Sequence, residues 1–594
     1  MAVFNPKMLD ASIRDVVSSL SNESKTSVLL YAMERLPPGP SSRTVIENAV
    51  QSCIQVSSTH PEKVAQARLL RAKARFSVGL RGAAHQDLQA ILMIEPNHRE
   101  ARALMPPSGK LLGGEASSRA QGQPRFSNEI WREVALYLPR RDLLTLLVVP
   151  HALSAIASQL LFRKVHLQFG TATFYVKASG GGEAVENAVE IDKWHAQRSA
   201  DILSRLVSDA TYASLVRTFI VSAPDRGRNT LTAFQIAMLS NVLPRLINLE
   251  AFGCTMGNQA IMPLLQILET HHPKLRSLIL DSTAFTPPSL PSLSHLTRFV
   301  YNGVAEEMPN LQTFFLGRTV ALHTLSIHNA GKGYPAGIVS LSNLTVLELS
   351  VKFENANVLS DLLTHSQQLK TLRLACNVDI NCVLSSSFRA HAAALPSLSE
   401  FAFDLGLAPR HLPDPDLFPA IAEFVRQHPN LVTLSLLAAG RPHVGFDAAV
   451  WGILPALAQL RTLQIDVPYD LSPALSAWLI PRTVVALNLI LPPNSDTTFL
   501  TQLWPGLPRE LKVVALPLRL SQEIQNLIGS RLPSLRLLCM AGIYYTVMHK
   551  AEQVTELERW STRRTMFYFD DYIEEIECEE VRGFQAYDRL RWHW

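Results

Sequence analysis

One spacing recurs through most of this chain: apolar-x-x-apolar-x-apolar. It reads LINLEAF from Leu246, LRSLIL from Leu275, LTRFVY from Leu296, LHTLSI from Leu322, LTVLEL from Leu344 and LKTLRL from Leu369. It continues as LSEFAF from Leu398, LVTLSL from Leu431, LRTLQI from Leu460, VVALNL from Val484, LKVVAL from Leu511 and LRLLCM from Leu535. Consecutive starts lie 21 to 33 residues apart, and VRTFIV from Val216 is a candidate first member. Alternation at period two marks a short strand with one face buried. Amphipathic apolar stretches precede many of these strands, among them PLLQILETHHP, LQTFFLGRT, VLSDLLTHSQQ and AIAEFVRQHPN. They predict a helix in each unit. A strand and a helix every 20–30 residues bury little alone, so the units must stack into an α/β solenoid, with a curved parallel sheet inside and helices outside.

The alternate strand positions then face the concave side. Arg276, Ser277, Glu348, Thr371, Arg373, Thr433, Ser435, Thr462 and Gln464 fall there, with apolar Val346 among them. A mostly polar surface with some apolar positions suits protein recognition. Arg276, Glu348, Arg373, Ser435 and Gln464 are the candidate substrate-binding residues. The repeat resembles the leucine-rich repeat family, whose horseshoe is the expected fold. Asn377 stands at the family's asparagine position, and most other units lack it.

Upstream, residues 124–167 include PRFSNEIWREVALYLPRRDLLTLLVVPHALSAIASQLLFRKVHL. Ser127 or Asn128 can cap a helix with Glu129 in its first turn. Ile130, Val134 and Leu138 follow as a stripe. Asp142 is expected to cap a second helix, Pro150 to break it, and Ala152–Phe162 to form a third. Some 40 residues cannot bury this much apolar surface alone, so the following domain or a partner must cover it. The segment resembles an F-box. The family opens with Leu-Pro-x-Glu-Ile, here Phe126-Ser127-Asn128-Glu129-Ile130. Tyr137-Leu138-Pro139-Arg140-Arg141-Asp142-Leu143-Leu144 and Leu160-Leu161-Phe162-Arg163-x-Val165-x-Leu167 follow in order. Ser127 replaces the family proline, and Pro150 and Leu153 also depart from the pattern. The resemblance implies that Phe126, Ser127, Ile130, Val134, Leu138, Leu143, Leu144 and Leu147 face a Skp adaptor, which links to cullin and RING subunits.

Residues 1–105 read as helical. The spacing predicts helices over 62–78, ending at Gly79, and 83–94, ending before Pro96, with small Ala72 and Ala84 at a close approach. Ala72, Gly79, Ala84, Leu88 and Pro96 resemble a tetratricopeptide repeat. Thr44–Pro61 fits the second helix of a preceding unit. Arg68, Arg71 and Arg75 stand where that family prefers apolar residues; the stripe is either a solvated face or an attraction for an acidic partner. Residues 106–123 (PPSGKLLGGEASSRAQGQ) have the composition of a flexible linker.

The net charge of +4 is uneven: +5 over residues 1–124, +3 over 125–168, −4 over 541–594 and zero between. No patch interleaves aromatics with Lys and Arg as a nucleic-acid surface would. No run reaches 18 apolar residues, so no spanning helix is expected, and MAVFNPKMLDASIRDVV does not read as a signal peptide. The six cysteines form no C-x-x-C pair, which argues for free thiols in a reducing compartment, cytoplasm or nucleus.

Catalytic motifs are missing too. The sequence has no G-x-x-x-x-G-K-[ST], no H-E-x-x-H and no G-x-S-x-G. Gly180-Gly181-Gly182 reads as a loop, and adjacent His271 and His272 point apart on a helix. The acids at 574, 575, 577, 579 and 580 read as a solvated run within a tail also rich in Phe, Tyr and Trp. That tail is expected to cap the last repeat, with partner binding as the alternative.

The expected fold class is thus an α/β solenoid, a leucine-rich-repeat horseshoe, preceded by an all-α F-box and an all-α tetratricopeptide-like region. The zones are 1–105, linker 106–123, F-box 124–167, solenoid 168–545, and cap or acidic aromatic tail 546–594. The resemblances imply a non-catalytic substrate-recognition subunit of an SCF-type cullin–RING ubiquitin ligase. It would need no cofactor or metal and would bind an adaptor and substrate proteins, not nucleic acid or membrane. The alternative is a ligase-independent interaction scaffold.

Overall fold

A computed structural model describes residues 20–35, 46, 49–50, 53, 60–77, 81–105, 128–138, 140–149, 152–170, 185–223, 233–256, 258–282, 295–303, 322–333, 341–379, 381–405, 414–438, 442–492, 495, 497–549, 555–561 and 569–584. The chain divides into two compact units, Met1–Arg125 and Phe126–Trp594.

In the first unit, α1 is Asn22–Glu34, α2 Pro61–Ser77, α3 Arg81–Ile94 and α4 Arg99–Leu104. Ala65, Leu69 and Ala72 of α2 bury against Ala84, Leu88 and Ile91 of α3 and Ala101 of α4. Alanines at the crossing let the backbones approach. The opposite face of α2, through Ala67 and Ala74, packs on Leu30, Met33, Ile46, Val50 and Cys53. The expected 106–123 linker lies outside the described residues.

The arginine stripe is neither a solvated face nor a free attraction for an acidic partner. Asp87 of α3 is buried, and all three guanidinium groups turn onto it. Arg71 donates to both carboxylate oxygens (2.9 and 2.5 Å), Arg75 to one (2.9 Å), and Arg68 sits 3.6 Å away. A buried carboxylate needs such partners, because desolvating it unpaired is expensive. The arginines at apolar family positions and Asp87 compensate one another.

The second unit begins with α5 (Asn128–Leu136), α6 (Arg140–Leu146) and α7 (Ala152–Leu161). Helix α6 starts two residues before Asp142, so this carboxylate lies in its first turn and not at the cap. From α7 the chain enters a sixteen-stranded sheet whose spatial order follows the sequence. The strands are β1 (Lys164–Gln168), β2 (Thr218–Ser222), β3 (Ala251–Thr255), β4 (Ser277–Ser282), β5 (Arg298–Gly303), β6 (Thr324–Gly333), β7 (Val346–Phe353) and β8 (Thr371–Val378). Then come β9 (Glu400–Asp404), β10 (Thr433–Leu437), β11 (Thr462–Asp466), β12 (Ala486–Ile490), β13 (Val513–Leu516), β14 (Leu537–Met540), β15 (Ile543–His549) and β16 (Thr555–Arg559). Strands β1 to β14 pair in parallel, and β15 and β16 antiparallel. This is the α/β solenoid that the repeat requires. Its first strand lies inside the segment read as the F-box exit.

The recurring pattern explains the stacking. In every unit from Leu275 onward the three apolar residues, such as Leu275, Leu278 and Leu280 or Leu369, Leu372 and Leu374, are buried in one continuous core, and in the unit before it the buried trio is Leu249, Phe252 and Cys254, three residues later than the pattern from Leu246. Each fully buried leucine contributes on the order of 2 kcal/mol. The carbonyl of the residue before one strand accepts two successive N–H groups of the next unit, as Glu250 O does from Arg276 (2.8 Å) and Ser277 (3.0 Å). Register is therefore set at the strand starts.

Between β1 and β2 lies α8 (Val185–Ser208), which the sequence reading did not single out, and the expected helices follow as α9 (Asn258–His271), α10 (Ala356–His365) and α11 (Leu417–Arg426). The stretch LQTFFLGRT lies outside the described residues. Helix α9 buries Ile261, Leu264, Leu265 and Leu268, and α11 buries Phe418, Ile421, Phe424 and Val425. Histidines just past two of these helices tie units together. His272 Nε2 bonds Leu243 O (2.8 Å) and His428 Nε2 bonds Ala394 O (2.6 Å). These histidines are ties between repeats, each ring bonded to a backbone carbonyl.

Candidate interaction surfaces

Helices α5, α6 and α7 share a small core of Ala135, Leu143, Ile156 and Leu161, flanked by Trp131, Leu138, Leu146, Leu147 and Leu160. The two faces of α5 separate by helical spacing. Trp131 and Ala135 turn inward, whereas Ile130 and Val134, each 46% exposed, turn outward. Leu144 and Val148 do the same on α6, at 51% and 84%. Leu136 and Tyr137 add to the outward set. Six large apolar side chains thus meet water within residues 130–148.

This sorts the sequence candidates. Ile130, Val134 and Leu144 are available to a partner, and Leu138 and Leu147 are half-buried against the core. Leu143 is a correction: at 8% exposure it belongs to the three-helix core and cannot face an adaptor. Phe126 and Ser127 lie outside the described residues. Leu136 and Tyr137 fall off the Ile130, Val134, Leu138 stripe that sequence reading follows, and Val148 lies in an apolar run that does not itself show which residues face outward.

The second surface is the sheet face opposite the helices. Along it, equivalent positions stack from unit to unit. Arg276 is exposed at the start of β4. Glu348 and Arg373 are half-buried and face each other at 3.6 Å across β7 and β8; Arg373 also reaches Glu400 (3.2 Å), and Ser326 donates to Glu348 (2.7 Å). Asn377, at the family's asparagine position, pairs in register with Lys352, and its side chain lies outside the described residues. Ser435 and Gln464 are a further correction. They are 0% and 1% exposed, with Ser435 donating to Gln464 Oε1 (3.2 Å), so neither can touch a substrate.

The chain's own tail covers part of this face. After β16, α12 (Phe569–Glu575) and a 3-10 turn (Glu579–Gly583) fold back over this face. Phe569, Ile573, Cys578, Val581 and Phe584 form a core with Ala486, Val513, Ala515 and Leu537 of β12, β13 and β14. Tyr544 and Trp560 stack on it with ring centroids 5.5 Å apart. Gly583 lies so close to β10 and β11 that a Cβ there would come within 3.0 Å of Thr462 and 3.2 Å of Thr433. Of the acids expected to form a solvated run, Glu574, Glu575, Glu577 and Glu579 are exposed and Glu580 is half-buried, and some meet cations of the solenoid. Glu580 meets Arg461 (3.5 Å) and Lys512 (3.9 Å), Glu577 meets Arg536 (2.7 Å), and Asp571 meets Arg140 of α6 (3.5 Å). The expected cap is present and broader than a lid on the last repeat. Phe567, Tyr568, Tyr587, Trp592 and Trp594 lie outside the described residues.

Toward β1 the inner face is polar. Burial drives the His166 imidazole down to about 3, with Lys164 and then His195 adding to the shift, and His328 to about 4, Glu348 opposing. Both rings are neutral at pH 7. Burial also pushes the Asp281 carboxyl up to about 7, against one 3.3 Å hydrogen bond from Thr255 Oγ1. The Cys578 thiol is pushed up to about 12, chiefly by burial. Among the described residues no three of His, Cys, Asp and Glu are grouped to hold a metal ion, and no helix is long and apolar enough to cross a membrane.

Compared with protein-family models and with curated proteins, the chain has no match. Among solved structures, a crystal structure of a Bacteroides fragilis protein from the Northeast Structural Genomics Consortium is similar at 11% identity and a TM-score of 0.27. It covers 41% of this chain and 72% of its own.

Proposed function

We propose that the chain is the substrate-recognition subunit of an SCF-type ubiquitin ligase, with α5 and α6 docking a Skp-type adaptor and the solenoid holding the substrate. The observation that carries this reading is the outward apolar set at Ile130, Val134, Leu136, Tyr137, Leu144 and Val148. It sits on a small helical module that runs from α7 directly into β1, and its sequence resembles an F-box. Such a face is stable in water when a partner covers it. The protein would make and break no bond itself. Its contribution is proximity, and holding two reactants together lowers a barrier by several kcal/mol. In this reading the first unit is a tetratricopeptide-like accessory, and the complex works in the cytoplasm or nucleus.

Co-purification with a recombinant Skp-type adaptor tests it. The Ile130→Asp/Leu144→Asp double variant should fold normally, because both side chains are half exposed, and should lose adaptor binding at least a hundredfold. Adaptor binding that survives this variant, or a wild-type chain that binds no adaptor, rejects the reading in favour of a scaffold. Leu143→Asp is unsuited to the purpose, since a charge in the helical core unfolds the module.

A further inference from the structure

The residue immediately before each strand forms a rim along one edge of the sheet, and this rim is rich in cations. It carries Arg461 before β11, Lys512 before β13 and Arg536 before β14. All three are met by carboxylates of the tail, Glu580 and Glu577. The tail thus displays what this edge accepts: acidic residues three apart, serving strands from β11 to β14, with aromatic and aliphatic side chains turned onto the sheet. The same rim continues toward β4, past the strands that the described tail residues meet. Arg276 before β4 and Lys370 before β8 are exposed there, and neither makes an ion pair among the described residues. His323, before β6, stands between them on the same edge and is exposed.

We infer that this open stretch of rim, from Arg276 to Lys370, binds an acidic segment of a partner protein, in continuation of the edge that the chain's own tail fills. The inference deepens the reading of the solenoid as a substrate receptor and rests on it. It assigns the substrate class: a carboxylate-rich segment with interspersed apolar residues. Four strand spacings separate the two cations, about 19 Å. An extended peptide covers that in roughly six residues, so acidic groups about six apart can engage both ends.

The probe is a labelled synthetic peptide with the sequence of residues 569–584, beside a counterpart in which Asn and Gln replace every Asp and Glu. Fluorescence anisotropy with the full-length chain should show the acidic peptide binding at least tenfold tighter than the amide form, and weakening as salt rises. Arg276→Glu/Lys370→Glu should remove at least nine-tenths of that affinity. Arg276→Ser/Lys370→Ser should weaken binding too, and it keeps the test valid if charge reversal perturbs folding. Equal affinity of the two peptides overturns the inference. So does acidic-peptide binding that neither double variant changes, because the peptide would then be entering the tail's own place. Adaptor co-purification on the same preparations separates the two layers. Adaptor bound without peptide selectivity removes the acidic-segment inference alone, and rim-dependent peptide binding without adaptor removes the ligase reading.

Discussion

The inner sheet face is built twice, once over β4 to β8 and again over β11 to β14, and the two halves differ in what covers them. At matching positions the first half carries Arg298, Val300, Ser326, Glu348 and Arg373, the second Ala486, Val513, Ala515 and Leu537. The repeat scaffold is the same, since the inward leucines and the backbone register continue through both. What differs is that α12 and the following turn lie on the second half, where Ala486, Val513, Ala515 and Leu537 receive them beside the polar Thr462, Gln464 and Asn488. A position in such a repeat is therefore surface or interior according to the chain that returns over it, and the strand pattern by itself does not decide.

The sharpest way to break this comparison is a matched pair of charges. Ile573→Asp places a carboxylate in the tail's fully buried core and should cost about 3 kcal/mol, visible as a lowered Tm and faster proteolysis of residues 569–584. Val346→Asp, at the half-buried matching face of β7, should cost about 0.5–1 kcal/mol. Equal losses would mean that the halves are alike.

A smaller effect comes from two aspartates at one register position. Asp466 of β11 accepts the Ala438 N–H at 2.8 Å, whereas among the described residues the carboxylate of Asp281 of β4 accepts a long bond from Thr255. Its carboxyl, raised to about 7, binds protons more tightly folded than unfolded. Its stabilising contribution is therefore complete below about pH 4 and is lost as pH rises through 7. Asp281→Asn should leave stability unchanged near pH 4 and raise it by on the order of 2 kcal/mol at pH 8, read from denaturant midpoints. His166 and His328 have folded values below 6.5, so their contribution is present above that pH and lost as pH falls toward 4. The variant must therefore be compared with the parent at each pH, which cancels the histidines. A gain equal at both pH values would contradict the assignment.

Much of the architecture was legible because the repeat is a local pattern. Strand positions, inward leucines and the helices at 258–271, 356–365 and 417–426 follow from period-two and period-3.6 spacing alone. The surfaces were less so. Leu143 and Leu144 are neighbours in an apolar run, and only helix geometry separates core from exposed face. Ser435 and Gln464 look like exposed polar positions, yet they are buried and bonded to each other, which the strand pattern does not reveal. For the covered half a signal was present: Thr and Ser give way to Ala, Val and Leu at most inner positions from Ala486 onward, Asn488 excepted. Asp87, likewise, gave no local hint that it gathers three arginines from the neighbouring helix.

The central claim is that residues 128–148 are the docking face for an adaptor, apart from the face that the tail covers. Hydrogen–deuterium exchange of the full chain with and without a saturating Skp-type adaptor tests it most directly. The account predicts a complex in which new protection is concentrated in α5 and α6, with residues 569–584 unchanged. Absence of a complex, or protection that leaves α5 and α6 untouched, would contradict it.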